Sequence, residues 1–454
     1  GAHTFRRLCH VGDRTGLEII RTLQDRGVHQ GIDVHMEVTL TRLITQQGRV
    51  VGAFGYYRET GKFVLYRAKA VVMATGGWGK IYKVTSNSWE STGDGIGMAL
   101  EAGAELIDME MVQFHPTGMI WPPGVKGILV TEAVRGEGGL LTNSQGERFM
   151  LTYDPTKKEL SSRDVVARSI YKEVQAGRGT PHGGAWLDIT HRGADYIKRK
   201  LPSMYEQFLK LADIDITTTK MEVGPTIHYA MGGIRTDAPT GATTVPGLYA
   251  AGEVAGGLHG ANRLGGNSLS DLLVFGRRAG EAAAEFAKQQ QLGLVSHEQI
   301  EAEKRLLLDP FEPKEAGGEN PFKLMEELQD VMQEGAGISK TEMGLQNCLA
   351  RLRGLQSRAK NLHVQGSRHY NPGWHTVRDV RFMLEIAECI VRGAIDRKES
   401  RGAQWRLDFP NQDPEWGKKN IICKEQGGAI EVTTRALEPL PDALAELIKK
   451  EWKK

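Results

Sequence analysis

The chain has 454 residues, which is long enough for two or three domains with a substantial core. Its 58 Lys and Arg residues nearly balance 56 Asp and Glu residues, so the formal net charge of +2 gives no indication of nucleic acid as a partner. The four cysteines are scattered and include no CxxC pair, so the sequence predicts no disulfide framework and no metal site, and it indicates a reducing compartment.

The first part of the chain predicts a helix followed by strands. Apolar residues at helical spacing predict a helix over Arg14–Arg26. Three β-rich runs separated by turns, Val34–Ile44, Arg49–Arg58 and Lys62–Ala74, predict an antiparallel meander. The last run ends in a glycine pair that begins at Gly76, which is typical of a buried strand whose carboxyl end opens onto a ligand; an ordinary turn is the alternative.

The middle of the chain indicates an inserted domain. The segment Thr92–Gly95 opens a predicted helix that runs to Ala102. Asp94 lies near its start, and an acidic residue in that position is more often a cap than a ligand contact. From residue 109 to about 224 the pattern changes to loops and short elements. Strand patterns then resume at His228–Ile234 and Gly247–Ala251, which indicates that the chain returns to its first sheet.

The C-terminal part is predicted to be helical. A helix is expected from Ser268 to about Gln291, and Asp309–Pro321 is rich in Pro, Gly and Glu, as at a domain boundary. Amphipathic helices are predicted at Phe322–Gln333, Thr341–Leu362 and Thr376–Asp396, before a tail with a short strand near Ala429–Thr434 and a terminal helix. No run approaches the roughly 18 apolar residues of a membrane span.

Four cationic or imidazole residues beside glycines and turns are candidates for a binding site: His115, His228, Arg163 and Arg263. Each of these residue types alone is more often structural, but all four lie where elements end and sites are built. Because arginine binds carboxylates in a bidentate manner and histidine donates a further hydrogen bond, two of each would bind a small dianion.

Two further features support a site with charge and a cofactor. Glu132 and Arg135 are three residues apart, so on a helix they would form either a proton conduit or a surface ion pair. The stretch from His259 to Gly280 combines Arg263, several glycines and a helix start at Ser268, which suits the approach of an anionic, planar ligand.

Several long motifs occur together in this chain. They are QFHPTG, TEAVRGEGG with NSQGERFM, SSRDVVARS, HYAMGGI, AAGEVAGGLHGANRLGGNSLSDLLVFGRRAG and ESRGAQWRLDFP. In this order and spacing the chain resembles the flavoprotein subunit of succinate dehydrogenase and fumarate reductase over nearly its whole length. The segments KVTSNSWESTGDG and FHPTGMIWPP most resemble the flavoprotein of actinobacterial-type succinate dehydrogenases.

The resemblance implies an α/β fold: a Rossmann-like FAD-binding domain, incomplete at its N-terminus, with an inserted α+β capping domain and a C-terminal helical bundle. The implied boundaries are 1–108 and 225–300 for the FAD-binding domain, 109–224 for the capping domain, 309–398 for the helical domain and 399–454 for the tail.

The resemblance also implies roles for residues. His115, Thr131, His228 and Arg263 would bind the carboxylates of succinate or fumarate, and Arg163 would transfer the proton with Glu132 and Arg135 as relay. The implied FAD contacts are Ala74, Thr75, Gly76, Asp94, Glu253, Ser268 and Leu269. Hydride would move between a substrate carbon and FAD.

The implied partners are an iron–sulfur subunit, quinone and, indirectly, a membrane anchor, which would place the chain peripherally on the cytoplasmic side of the membrane. The chain departs from the family at Ala133, where glycine is usual, and at Gln404, where histidine is usual. No GxGxxG turn and no flavin-attaching histidine precede residue 1, so covalent attachment of FAD is not readable. L-aspartate oxidase, which shares these motifs, and a non-catalytic fragment are the alternatives.

Overall fold

The computed structural model describes residues 8–314 and 317–451. The α-helices of this part are α1 (Thr15–His29), α2 (Asp94–Glu101), α3 (Ala133–Gly136), α4 (Met150–Tyr153), α5 (Arg163–Gln175), α6 (Ala194–Lys200), α7 (Pro202–Ala212), α8 (Asn267–Lys288), α9 (His297–Leu308), α10 (Pro321–Gly335), α11 (Glu342–Arg358), α12 (Pro372–Asp396) and α13 (Asp442–Glu451). The strands are β1 (Val38–Gln46), β2 (Arg49–Tyr57), β3 (Phe63–Arg67), β4 (Val71–Met73), β5 (Leu106–Ile107), β6 (Val112–Met119), β7 (Leu140–Thr142), β8 (Ala185–Asp188), β9 (Met221–Ala230), β10 (Gly233–Arg235), β11 (Leu248–Ala250), β12 (Ala255–Gly256), β13 (Lys419–Gln426) and β14 (Ala429–Ala436).

The predicted meander is present as the antiparallel sheet β1-β2-β3, but its third run is two strands rather than one. The chain leaves the meander after Arg67 and re-forms as β4, which pairs in parallel with β11. The segment 68–70 between them turns the chain into a different sheet. A continuous β-rich run of residues therefore supplies strands to two sheets, and nothing in its alternation marks the break.

The predicted N-terminal helix is present as α1, and none of its residues is buried. Its apolar face is open to solvent: Leu17, Ile20 and Leu23 are about half exposed. Amphipathic spacing identified this helix correctly, whereas its packing does not follow the usual rule that the apolar face is covered.

Residues between β6 and β9 form a region with its own core. The sheet β6-β9-β8-β7 is antiparallel, and helix α5 packs against it. This second core is built from buried side chains that include Met119, Leu141, Ile170 and Val223. The inserted region therefore folds around apolar residues of its own, as its change of sequence pattern indicated. The predicted boundaries at 109 and 224 stay a prediction.

Helices α10, α11 and α12 form the predicted C-terminal bundle, and α12 also packs on α2. Helix α12 is buried along most of its length; Trp374 near its start is 1 % exposed and donates from its ring nitrogen to the carbonyl of Leu307. The sequence missed β13, which pairs with β5 and β14 and so joins the tail to the five-stranded sheet β12-β10-β5-β13-β14. None of the helices within the described ranges is long and apolar enough to cross a membrane.

Candidate functional site

Strands β6 and β9 bring two predicted imidazoles together. The strands pair antiparallel, with His115 opposite Thr226, and the rings of His115 and His228 lie 5.3 Å apart at 66°. Nδ1 of His115 lies 3.1 Å from the carbonyl oxygen of Thr117 and 3.3 Å from its main-chain N–H, so it donates to the first or accepts from the second according to the tautomer of the ring. The other ring nitrogen, Nε2, is buried and has no hydrogen-bond partner among the described residues, so it is available to a ligand.

Both imidazoles are neutral at physiological pH. Burial lowers the pKa of His115 well below its usual value, and the charges of Arg163 and Arg135 lower it further. Burial also lowers the pKa of His228, with Arg263 and Arg163 acting in the same direction. The two rings therefore act as hydrogen-bonding groups beside cations rather than as additional charges.

Two of the predicted arginines meet at one amide oxygen. Arg163, the first residue of α5, donates from Nη1 to Oε1 of Gln113 at 3.4 Å. Arg263 donates from Nη2 to the same oxygen at 3.1 Å. Gln113 is fully buried and donates from Nε2 to Oδ1 of Asn262 (2.7 Å) and to the carbonyl of Arg263 (2.8 Å), so its orientation is fixed.

The guanidinium groups are in a dry and electrostatically unfavourable environment. Burial lowers the pKa of Arg163 to about 10. Burial and then the charge of Arg163 lower the pKa of Arg263 and of Arg135, each to about 10. A guanidinium with a lowered pKa exchanges a proton more readily than an exposed one, and an anion bound between these groups would relieve their repulsion.

The predicted relay residues are also close together. Oε2 of Glu132 lies 3.0 Å from Nε of Arg163 and 4.0 Å from Nη2 of Arg135. Arg135 is buried and donates from Nη1 to the carbonyl of Glu159 at 2.6 Å. Thr131 precedes Glu132, and its hydroxyl accepts from the N–H of Ala133 at 3.4 Å. The segment before Thr131 is tied to β6, because Thr117 and Val130 exchange two hydrogen bonds.

The predicted cofactor positions converge at the carboxyl end of β4. A Cβ atom on Gly77 would overlap Oε1 of Glu253, and one on Gly95 would overlap Oγ1 of Thr75, so backbone and side chains approach closely at both places. Ala74 and Thr75 are exposed at the strand end, and Gly76 is partly so. Oε1 of Glu253 accepts from the N–H of Ala230 at 2.9 Å.

Two carboxyl groups border this region. Burial raises the pKa of Asp94, at the start of α2, to about 6, against the opposing hydrogen bond from the N–H of Gly95. Burial raises the pKa of Glu253 to about 7, and the bond from the N–H of Ala230 and the charge of Arg263 oppose the shift.

Helix α8 begins one residue before the predicted start at Ser268. Its N-cap is Gly266, which has a φ of 81°, and no side chain caps the helix. The N–H groups of Asn267 and Leu269 donate to the carbonyls of Leu264 and Gly266, so the first turn presents chiefly the positive end of the helix dipole. Arg263 donates from Nη1 to Oγ of Ser268 at 3.1 Å, which joins the predicted substrate arginine to the predicted cofactor helix.

Sequence reasoning missed four residues that build this site: Gln113, Ser86, Asn262 and Tyr229. Gln113 and Tyr229 adjoin predicted residues, two before His115 and one after His228, so neighbouring positions carried a signal for them. Ser86 contacts Nδ1 of His228 through its hydroxyl at 2.9 Å, across 142 residues of sequence. No local pattern indicates a contact of that kind.

Comparison with known proteins identifies the family. A model of the FAD binding domain matches residues 1–269, and a model of the fumarate reductase flavoprotein C-terminus matches residues 325–443. The matching subunit of the fumarate reductase (CoM/CoB) of Methanothermobacter marburgensis is 44% identical, over 94% of this chain and 76% of that protein. The chain belongs to the succinate dehydrogenase and fumarate reductase flavoprotein family. The succinate dehydrogenase flavoprotein subunit of Coxiella burnetii is 37% identical, over 97% of this chain and 77% of that protein.

Solved structures of this family have the same fold. Mycobacterium smegmatis Sdh1 in complex with UQ1 superposes with a TM-score of 0.88 at 52% identity, over all of this chain and 78% of that one. A chain of the E. coli quinol fumarate reductase gives a TM-score of 0.88 at 36% identity, over 95% of this chain and 77% of that one. The predicted fold, a FAD-binding domain followed by a C-terminal helical domain, is therefore confirmed.

FAD is the cofactor of this flavoprotein family, and the site has the groups to bind it. Glycines line the approach at the end of β4, Glu253 provides a carboxyl group, and the start of α8 provides the positive end of a helix dipole. Reduction of a flavin places negative charge on its ring, and a helix N-terminus stabilises negative charge.

Proposed function

We propose that this flavoprotein interconverts succinate and fumarate at the cluster formed by His115, His228, Arg163 and Arg263. The observation that carries the proposal is the pair of guanidiniums on Gln113, beside the unpartnered Nε2 of His115. Cations, neutral imidazoles and an unpartnered ring nitrogen in one buried place are suited to binding carboxylates.

The charge of the cluster selects a dianion. Arg135, Arg163 and Arg263 provide three positive charges and Glu132 one negative charge, which leaves two positive charges, since both imidazoles are neutral. A four-carbon dicarboxylate with two negative charges balances this excess. A monocarboxylate would leave one cation buried without a counter-ion, which is energetically unfavourable.

The residues divide into binding and proton-transferring groups. His115, His228, Thr131 and Arg263 would hold the two carboxylates, and Ser268 would orient Arg263. FAD, when bound at Ala74–Gly76, Asp94, Glu253 and the start of α8, supplies hydride acceptance and donation. Arg163 would move the proton of the neighbouring substrate carbon, because its lowered pKa brings proton exchange closer to the working pH.

The proton needs a route away from the buried Arg163. Glu132 lies 3.0 Å from Arg163 and 4.0 Å from Arg135, so a carboxylate stands between two guanidiniums. The same three groups would work in either direction, since succinate oxidation releases a proton and fumarate reduction takes one up. The direction in the cell then depends on the electron partner.

The electron partner is proposed to be an iron–sulfur subunit that passes electrons to quinone, with a membrane anchor bound through that subunit. Support comes from the two structural neighbours, one a quinol fumarate reductase and the other in complex with UQ1. The relative from M. marburgensis is named for CoM and CoB instead, so a thiol partner is the outcome that would replace quinone. With quinone as partner, the chain would lie peripherally on the cytoplasmic side of the membrane.

The test uses full-length, flavin-loaded protein with succinate and an artificial electron acceptor. Arg163→Ala is expected to retain its flavin and to lose turnover by roughly 10²–10⁴-fold, the usual contribution of a positioned acid or base. The matched control is Arg178→Ala, three residues beyond the end of α5, where Arg178 forms an ion pair with Glu173. The proton-transfer role is refuted if Arg163→Ala turns over succinate at the wild-type rate. The proposed function is refuted if the wild-type protein oxidises L-aspartate but not succinate.

A further inference from the structure

His259, the first residue of the glycine-rich stretch, lies in a buried cluster behind Arg263 rather than beside the other site residues. The cluster also contains Tyr229 and Asp271, which are 6 % and 5 % exposed. Tyr229 lies on β9, His259 in the loop before α8, and Asp271 in the second turn of α8. Three separate parts of the chain therefore meet directly behind one guanidinium.

Arg263 differs from Arg163 in what balances its charge. Arg163 has Glu132 at 3.0 Å, whereas the oxygens that accept from Arg263 are neutral: Oε1 of Gln113, Oγ of Ser268 and the carbonyl of Leu264. Burial and the charge of Arg163 both disfavour the charged form of Arg263. The carboxyl group of Glu253 opposes both effects, but it is not among the groups that accept a hydrogen bond from Arg263, so the plane of the guanidinium must be fixed by another neighbour.

The aromatic ring of Tyr229 is in the right place to attract the guanidinium and fix its plane. The central carbon of the Arg263 guanidinium lies 4.3 Å from the centre of the Tyr229 ring. A cation over the face of a buried aromatic ring is attracted by the ring quadrupole, and the attraction is stronger without water. The flat ring also restricts the plane of the guanidinium, which decides where its N–H groups point.

Asp271 holds the Tyr229 ring in place and polarises it. The Tyr229 hydroxyl donates to Oδ2 of Asp271 at 3.4 Å, and Nε2 of His259 lies 3.5 Å from the same oxygen. The rings of Tyr229 and His259 are 5.3 Å apart at 75°, an edge-to-face arrangement. A phenol that donates to a carboxylate carries more electron density on its ring, which strengthens its attraction for a cation.

We propose that Tyr229, held by Asp271 and His259, is a positioning residue for the substrate: it fixes the plane and the charge of Arg263 so that this arginine binds a substrate carboxylate. The inference rests on the proposed function, because it takes Arg263 as a carboxylate ligand. His259 and Asp271 would then affect the reaction indirectly, by holding Tyr229 against Arg263. The proposal also predicts an effect on substrate binding that exceeds the effect on turnover.

The surface of the protein offers a matched control. Arg192 lies over the ring of Tyr196 at 4.2 Å, and the Tyr196 hydroxyl donates to Oε2 of Glu137. This trio repeats the arrangement of Arg263, Tyr229 and Asp271 in the inserted region. Tyr196→Leu therefore removes the same interaction from an arginine that has no part in the proposed site.

The experiment measures the dissociation constant of malonate, an unreactive dicarboxylate, from the change in flavin absorbance of full-length, flavin-loaded protein. Tyr229→Leu is expected to raise this constant by about tenfold or more, with a smaller fall in kcat for succinate. Tyr229→Phe, which keeps the ring, and Asp271→Asn are expected to raise it by a few fold. The double variant of these two should equal Tyr229→Phe alone, because the charge that Asp271→Asn removes acts on the ring through the hydrogen bond that Tyr229→Phe removes.

The outcomes separate this inference from the proposed function. Wild-type protein that binds neither malonate nor succinate overturns the proposed function. Wild-type binding that is unchanged in Tyr229→Leu, with flavin content preserved, overturns the positioning role alone. The role is also overturned if Tyr196→Leu weakens malonate binding as much as Tyr229→Leu does, since the effect would then be a general loss of stability.

Discussion

Arg163 and Arg263 donate to the same oxygen atom, Oε1 of Gln113, at 3.4 and 3.1 Å. A neutral carbonyl oxygen has two lone pairs, so it accepts from both guanidiniums and holds them side by side without cancelling either charge. A carboxylate in its place would hold them more strongly but would remove the positive excess that a dianion requires. An amide at residue 113 is thus suited to two cations that share a negatively charged ligand.

Gln113→Glu is expected to weaken the binding of malonate by roughly 100-fold. A new negative charge about 5 Å from a bound carboxylate costs about 3 kcal/mol at an effective dielectric constant near 20. The measurement is the dissociation constant of malonate in flavin-loaded protein. Gln329→Glu, the same change at a largely buried glutamine of α10, is the control and should leave the constant as it is. Equal binding by Gln113→Glu and wild type would show that the charge excess does not select the ligand.

Arg135→Gln is expected to reduce kcat for succinate by roughly 10²-fold. Because the change also removes one of the three positive charges of the cluster, malonate binding should weaken as well, although by less than in Gln113→Glu. Arg135 contacts Glu132 and the carbonyl of Glu159, so it lies on the proton route but not among the carboxylate-binding groups. Arg148→Gln is the control, because Arg148 is a partly exposed cation that pairs with Glu159 in the same region. If both variants retain wild-type kcat, the proton leaves by another route.

The site was predictable to the extent that its residues occur in sequence motifs. Arg163, His228 and Arg263 were found because each lies at or near the end of an element or a glycine pair. His115 was expected at such an end too, but it lies in the middle of β6. Gln113 lies on the same strand as His115, but it carries no charge and so gives no signal of a binding site. Its role is clear only in the structure, where Arg163 and Arg263, 50 and 150 residues away in sequence, both donate to it. Long-range pairs of this kind decide the electrostatics and leave no local signal.

For the fold as well, features with a local sequence signal were predicted and those set by long-range pairing were not. Helix starts were predicted closely where sequence periodicity and capping agree, as at Thr341, whose hydroxyl accepts from the N–H of Gly344 at the start of α11. The run 62–74 was predicted as one strand because alternation does not record which neighbour a strand pairs with. Strand β13 was missed because its partners, β5 and β14, determine it as much as its own side chains do.

His228→Gln is expected to make stability less dependent on pH between about 7.5 and 5.5. The pKa of His228 is lowered in the folded protein, whereas an unfolded histidine titrates near 6.5. Below that pH the unfolded chain binds a proton that the folded protein does not, so the wild type loses stability as the pH falls, by up to about 1.4 kcal/mol per pH unit. Urea unfolding at the two pH values measures the effect, and His29→Gln, at an exposed position of α1, is the control. An identical pH dependence in His228→Gln and wild type would contradict the prediction.

Lys340→Met is expected to stabilise the protein, and more so at pH 7 than at pH 9.5. Lys340 is 1 % exposed, and its Nζ has no hydrogen-bond partner among the described residues. Burial lowers its pKa to about 7; the charge of Glu110 opposes the shift and that of Arg406 adds to it. Between about pH 7 and 10.5 the unfolded chain holds a proton that the folded protein lacks, so the stability of the wild type rises with pH across this window.

Methionine has no proton to exchange, so the advantage of the variant over the wild type should shrink as the pH rises. The difference in free energy of unfolding between Lys340→Met and wild type should therefore fall by up to about 3 kcal/mol between pH 7 and 9.5. Urea unfolding at both pH values measures it, and Lys360→Met, at an exposed lysine, should show no such change. A difference that is the same at both pH values would mean that Lys340 keeps its proton in the folded protein. A water molecule that bridges Lys340 to Oε2 of Glu110, which has no hydrogen-bond partner among the described residues, would explain that result.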